Sequence, residues 1–562
     1  MQTTPTAAPR QRTEQRQMTE TPQPPSNRPP SAAGTRVYAA AASVGLAFVF
    51  GRLLGLVRDV LIAARFGTGP EIAAYNAAFN IPDFIFLLVM SGAFGSAFVP
   101  VFAGYLEHGK LKQAWRLASN VLTLMVEGYA VFALFVIVFA NPIVRFLIAP
   151  GFARETQDLV IELTRILLLS PLFLGLGAAA KGLLESHHNF TLPAYAPVVY
   201  NAAGVAGALF LAPRYGVKGL AWGIVAGSVA HLALQLPGLL RIRMVYSFLP
   251  KPVAEGVRQV GRLLVPRIIG QAAFQINFIL VLTTLASRLG EGPAAALRYG
   301  YQLMMLPHGL LAISVSTVIF PLMSRQYAQG QFDALKTTFG DALRPLFFLT
   351  IPASVALAIL ARPIVQTIFQ RGEFTAASTL LVADALPYFA AGLVALALVE
   401  TSARAFFAMH DTRTPLVASV LTIGLNLILA LALSARLGGR GLAAAMTIAT
   451  TLEMIILLGA LRRKIGPFDV AVWTAFCKSL LATVAMALVL LIIRPRLIAV
   501  TDPLGATTAT FGRLAIFAFA LFIGFYTYLV VAWYLRTREL LELVERFGGR
   551  LGALTRRRRR RR

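Results

Sequence analysis

The chain has 562 residues, of which 57% are hydrophobic and only 14% charged, with a mean hydropathy of +0.69, whereas soluble domains carry roughly a quarter charged residues. That balance excludes an ordinary soluble enzyme and assigns most of the surface to lipid. The net charge of +27 raises nucleic acid as a partner, but its placement favours anionic membrane: residues 1–36 hold five arginines against two glutamates (+3), and the segment after Trp533 eleven arginines against three glutamates (+8).

Residues 1–36 are rich in Pro, Thr, Gln and Arg without an apolar run, so they predict a disordered arm rather than a signal peptide. A spanning helix needs ~20 apolar residues. Apolar runs between Pro, Gly and charge clusters predict spans near 38–64, 72–104, 113–140, 157–184, 193–212, 218–240, 258–287, 294–324, 337–361, 376–408, 414–434, 440–461, 470–493 and 511–534. The expected class is therefore an all-α integral membrane protein of about fourteen transmembrane helices. Cys477 is the single cysteine, which rules out an intramolecular disulfide.

Charges inside such runs are costly unless they face a cavity or a partner. The first span reads Gly51-Arg52-Leu-Leu-Gly55-Leu-Val-Arg58-Asp59. Arg52 and Asp59 share a helix face, and Gly51 and Gly55 permit a bend that would bring both arginines to one cavity, where a guanidinium fork suits phosphate. The competing reading has Arg58 and Asp59 snorkelling at the helix end. In the seventh span Arg267, Gln271, Gln275 and Asn277 form a polar string, as fit for helix packing as for substrate. In the eighth, Arg298 lies one turn before Gln302 on the same face, either in the site or as an interfacial snorkel. Asp384, Glu400 and Glu453 are span carboxylates that could couple ion movement. Arg536 to Leu554 alternates apolar and charged residues at helical spacing before seven terminal arginines, the pattern of an interfacial helix with a polybasic clamp. No metal, nucleophile or phosphate-loop pattern stands out, which leaves an enzyme nothing to act with.

An even span count puts both tails on one side. The even-numbered connectors carry Lys110, Lys112, Arg116, Lys181, Arg241, Arg243, Lys251, Arg258, Arg262, Arg325, Lys336, Arg344 and Arg462 to Lys464, so with the basic tails the positive-inside rule predicts cytoplasmic termini. The chain also repeats itself. Pro100, Gly109, Pro142 and Gly151 recur 221 residues later as Pro321, Gly330, Pro363 and Gly372; His188, Pro193 and Lys218-Gly-Leu-Ala recur after 222 as His410, Pro415 and Arg440-Gly-Leu-Ala. A constant offset held this long is a duplication of six spans. Two parallel lobes follow, with the site between them and the last two spans outside the repeat. The expected division is an arm at 1–36, an N-lobe at 37–245, a C-lobe at 246–465, two further spans at 466–535 and a tail at 536–562.

At these residues the chain resembles the MurJ (MviN) family of the MOP flippase superfamily, from about Val37 to Tyr534. The likeness rests on Gly51 to Asp59 with Arg65-Phe-Gly67, on Ser91-Gly-Ala-Phe-Gly-Ser-Ala-Phe-Val-Pro100, on Ala149-Pro-Gly-Phe152 and on Phe407-Ala-Met-His-Asp-Thr-Arg-Thr-Pro415. The resemblance implies two six-helix lobes around a cationic cavity, plus two helices forming a groove for a lipid tail. Family cavity arginines fall on Arg52 and Arg58, but others fall on Phe86 and Gln302, and family carboxylates fall on Ala73, Ser91 and Met305. Arg298 would replace, one turn away, the arginine missing at Gln302.

The function so implied is movement of lipid II, an undecaprenyl-pyrophosphate-linked peptidoglycan precursor, across the bacterial cytoplasmic membrane by alternating access. The expected substrate-binding set is Arg52, Arg58, Arg298, Gln302, Asp59 and Gln271. No cofactor is expected, the drive being membrane potential, an ion gradient or product removal, and nucleic acid is not an expected partner. The alternatives are a flippase for another polyprenyl-linked oligosaccharide and a cation-coupled multidrug antiporter.

Overall fold

The computed structural model describes residues 32–87, 92–247, 254–501, 509–542 and 545, without the side chains of 32–42, 92–97, 254–255, 263–271, 273–274, 500–501 and 509–511. The polybasic end and the first 31 residues lie outside that description. All the described secondary structure is helical. In the first half it runs through α1 (Ala32–Phe66), α2 (Pro70–Ile85), α3 (Gly92–Glu107), α4 (Leu111–Pro142), α5 (Arg154–Leu167), α6 (Leu169–Ser186), α7 (Thr191–Ala206), α8 (Ala212–Ala233) and α9 (Leu236–Arg241). The second half holds α10 (Ala254–Ile279), α11 (Glu291–Pro307), α12 (Ile313–Ala328), α13 (Phe332–Ile359), α14 (Ala361–Phe369), α15 (Ala376–Ala391), α16 (Leu393–Ala408), α17 (Arg413–Leu437) and α18 (Gly439–Ile465), followed by α19 (Val470–Thr501) and α20 (Ala509–Tyr534).

Each expected apolar run has a helical counterpart, but several runs are not single rods. Among the described residues nine segments are long and apolar enough to cross a membrane, or ten when α15 and α16, bent by 44° at Gly392, count as one. One of the nine, Thr191–Arg241, has 51 residues, and at ~1.5 Å per residue it is far too long for one crossing. It is α7 and α8 packed on each other around Gly216, whose φ of 59° breaks the helix. Pro142 and Pro307 each lead into a π-helical turn, Ile143–Ile148 and His308–Ala312. A proline lacks the N–H that the regular ladder needs, and a wider turn re-pairs the carbonyls it strands.

The duplication is written into the backbone. Gly109 and Gly330 have φ of 69° and 70°, His188 and His410 of 60° and 58°, and Gly216 and Gly438 of 59° and 55°. These are left-handed conformations, rare for a residue with a Cβ, so their recurrence at the repeat offset is not a packing accident. Helix pairing repeats as well. α2 packs on α5 as α11 does on α15, α3 on α6 as α12 on α16, and α7 on α8 as α17 on α18. The reversal around Gly216 and Gly438 is tight for the same reason in both halves: a Cβ on Gly219 would lie 2.4 Å from the Leu211 carbonyl oxygen, and one on Gly441 2.3 Å from that of Leu433.

The last two helices have no counterpart in the first half. α19 packs on α13 and α20 on α19. Their anchors are aromatic: Phe347 meets Phe476 at 5.2 Å between ring centroids, and the buried Tyr528 lies tilted against Phe348, also at 5.2 Å, and donates a 2.7 Å hydrogen bond to its carbonyl. That bond satisfies a phenol which hydrocarbon would otherwise leave unpaired.

Candidate functional site

Arg58 lies on α1 with its side chain only 21% exposed. Its Nε and Nη2 donate to one Asp59 carboxylate oxygen at 3.1 and 3.0 Å, and Nη1 donates to the Asn201 side-chain oxygen at 3.1 Å. Asn201, on α7, is fixed in turn by its own amide, which donates to the carbonyls of Gly51 at 3.2 Å and Pro197 at 3.0 Å. Gly204 completes the cradle, since a Cβ there would fall 2.8 Å from Arg58 Cδ. The free Asp59 oxygen accepts a hydrogen bond from the Gln302 amide of α11. Arg58, Asp59 and Asn201 of the first half are thereby joined to Gln302 of the second. The snorkelling reading of Arg58 and Asp59 fails, because both are enclosed between helices rather than drawn to an interface.

Gly51 and Gly55 do not interrupt the first helix. α1 runs unbroken from Ala32 to Phe66, and the Asn201 amide that takes the Gly51 carbonyl braces the wall of this stretch. Arg52 is exposed, lies over the Phe48 ring at 5.4 Å, and reaches the second half, where a Cβ on Gly309 would meet its guanidinium at 3.3 Å. The two arginines thus have separate partners instead of one shared pocket.

Arg298 is half-buried, and its guanidinium caps the Phe278 ring at 4.9 Å, a cation–π contact. It stays within electrostatic reach of Asp59 and of Asp83 on α2. It also borders a cavity of about 10 Å³ between the halves, lined by Asn76, Phe152 and Thr283 among others, which is room for one water at most. Gln271 has its side chain outside the described residues, as does Arg267, and Ser91 falls outside them altogether. Asn277 of the same string accepts a 2.9 Å bond from Asn426 across the helix interface, the packing role open to such residues. Phe86 is partly buried against the core.

Sequence reasoning missed three residues. Asn201 was legible as an amide in an apolar span four residues after Pro197, and Asp83 as a carboxylate in the second span. Nothing local marks Tyr200, which with Tyr75 sits within electrostatic reach of Arg58. The three span carboxylates considered for ion coupling each have a partner. Asp384 pairs with Arg440, Glu400 with Arg404 at 2.7 Å, and Glu453 accepts from Ser419 at 2.5 Å.

An arginine–carboxylate pair held between two duplicated helical halves fits a transporter, and comparison with known proteins agrees. The profile of "Lipid II flippase MurJ" matches residues 62–502. This chain belongs to the lipid II flippase MurJ family. The lipid II flippase MurJ of Burkholderia cenocepacia is 31% identical over 421 residues, covering 74% of this chain and 81% of the relative. A solved lipid II flippase MurJ in an inward closed conformation superposes with a TM-score of 0.73 at 27% identity, over 89% of this chain and 99% of that one. An inward-facing multidrug resistance MATE transporter of the MOP superfamily reaches 0.64 at 18% identity, over 74% of this chain and 94% of that one; that likeness concerns the fold. As a MurJ family member the chain is a multi-pass membrane transporter, not an enzyme.

Proposed function

We propose that this chain moves lipid II from the inner to the outer leaflet of the bacterial cytoplasmic membrane by rocking an N-lobe (37–245) against a C-lobe (246–465), with residues 466–535 as two added helices. The observation that carries the reading, beside family membership, is the half-buried Arg58, whose charge is balanced by one carboxylate that the second half also holds. A pyrophosphate is a stronger acceptor than a single carboxylate and fits a guanidinium fork. It would compete with Asp59 for Arg58, and in doing so release Gln302. Arg52 and Arg298 would add positive charge along the same path, on the two sides of the seam.

Both termini are proposed to be cytoplasmic, with the basic tail against anionic lipid. The energy source is proposed to be the membrane potential or an ion gradient. A precursor-accessibility assay in cells depleted of this chain tests the function: lipid II should become shielded from outside and be exposed again on complementation. A flippase for another polyprenyl-linked glycan is the second reading, favoured by Phe86 and Gln302 where the family carries arginine. It requires lipid II to stay accessible on depletion while the other glycolipid accumulates inside.

A further inference from the structure

Two contacts between the halves lie at the odd-numbered connectors, the face opposite the termini, and they are copies of each other. Gly372, in the second half, meets Ala64 at the end of α1; a Cβ on Gly372 would lie 2.2 Å from the Ala64 carbonyl oxygen, and the same oxygen accepts a 2.9 Å bond from the Glu373 N–H. Gly151, its repeat mate in the first half, meets Ser287 and Arg288 at the end of the seventh span. A Cβ on Gly151 would lie 2.4 Å from the Ser287 carbonyl oxygen and 2.5 Å from Arg288 Cα, and the Gly151 N–H donates to Ser287 Oγ at 3.2 Å. Ala64 and Ser287 are 223 positions apart, against 221 for the two glycines. Each half therefore presses a glycine onto the backbone at the end of the other half's first helix. Around them Gly67 abuts the Glu373 carbonyl, Thr284 donates to the Leu147 carbonyl at 2.6 Å, and the Ala153 N–H donates to Glu291 at 3.0 Å.

We propose that Gly151 and Gly372 are paired latches that hold the outer face shut, and that each closes only because it has no side chain. The backbone atoms they meet cannot step aside as a flexible side chain would, so an added methyl must hold the halves apart. Opening would join the vestibule of about 900 Å³ outside the seam, bordered by Gly372, Thr68 and Ser378, to the buried ground beneath it. The inference rests on the alternating-access reading but not on the identity of the lipid.

The test is thiol reactivity, which needs no substrate. In a Cys477→Ser background a cysteine replaces Ala77, which is 2% exposed beside the small cavity under the seam. Spheroplasts are treated with a membrane-impermeant maleimide. Gly151→Ala should raise the labelling rate about tenfold or more by shifting the population toward the outward-open state. Gly372→Ala should do the same, but its φ of 56° adds local strain. Gly330→Ala is the matched control, with a φ of 70° and nothing within 4 Å of the new methyl; it carries the strain without the clash and should leave labelling unchanged. Equal labelling in Gly151→Ala and its parent, or an equal rise in Gly330→Ala, overturns the proposal. Everted vesicles treated in parallel report which face is outside. If the vesicles and not the spheroplasts show the rise, the latches close the inner face and the proposal fails as stated. Unshielded lipid II in depleted cells would defeat the functional reading while leaving a positive labelling result intact.

Discussion

Arg58 is a charge that the fold encloses and then neutralises by hand, one donor at a time. Removing Asp59 leaves a guanidinium in a seam with one amide for company, and stranding a buried charge in this way costs about 3–5 kcal/mol. Asp59→Ala is thus expected to lower the melting temperature of the detergent-solubilised protein sharply, whereas Arg58→Ala with Asp59→Ala together should recover most of the loss and still fail to support growth. Arg298→Gln is expected to impair complementation of a flippase-depleted strain, with Gln302→Arg restoring much of it, since an arginine at 302 would meet Asp59 directly. Full activity of Arg298→Gln at matched membrane levels would remove Arg298 from the path. The sequence showed Arg52, Arg58 and Asp59 through the rule that charge in a span needs a reason. It could not show that Asn201, on a helix well over a hundred residues away, decides where Arg58 points, because only tertiary packing brings α7 against α1.

At the scale of the element, the connector before α17 is held by one carboxylate. Asp411 accepts from the backbone N–H groups of Arg413 at 3.1 Å and Thr414 at 3.0 Å, from the Thr414 hydroxyl at 2.6 Å, and from Lys464 at the end of α18. Partial burial would raise its pKa, but the hydrogen bonds from Lys464 and Thr414 outweigh that and hold it at about 2. A depressed carboxylate contributes stability that is present above its unfolded pKa of about 3.9 and is lost as pH falls toward 2. Asp411→Asn should flatten the pH dependence of melting between about pH 4 and pH 2, as read by thermal denaturation across that window. A second expectation concerns the glycine crossings. Gly441→Val should destabilise far more than Gly424→Val, which has open space around it; equal melting points for the two would mean that the α17 and α18 approach is not limited by that backbone contact. Apolar runs marked the positions of these helices, and the repeat implied two lobes built alike; which helix packs on which came only with the structure. The π-helical turns and the bend at Gly392 were not legible, because they depend on which carbonyls a neighbouring helix can satisfy.

For the whole molecule, the duplication read from a handful of prolines, glycines and histidines reappears as shared φ angles and shared helix partners. This is the part of the architecture that sequence carried best, because a left-handed backbone position tolerates few residue types and so persists. Reporter fusions to the C-terminus and to the loop at Gly151 should report opposite sides of the membrane; the same side for both would overturn the proposed topology. Closure was the part that the residues did not announce, since a glycine that seals a seam looks in sequence like any loop glycine.

The adjacency of Arg58 and Asp59 on one helix has an electrical consequence. Whichever way the first half moves, the cation and its counter-ion travel together, so this pair contributes a dipole and little net charge to an unloaded return. The loaded stroke differs, because a pyrophosphate that displaces Asp59 brings anions of its own. Each elementary charge crossing 100 mV is worth about 2.3 kcal/mol, and on the proposed topology the inside-negative potential pushes an anionic headgroup outward. Dissipating the voltage in vesicles is accordingly expected to slow delivery of the precursor while leaving the substrate-free exchange of the two conformations nearly untouched.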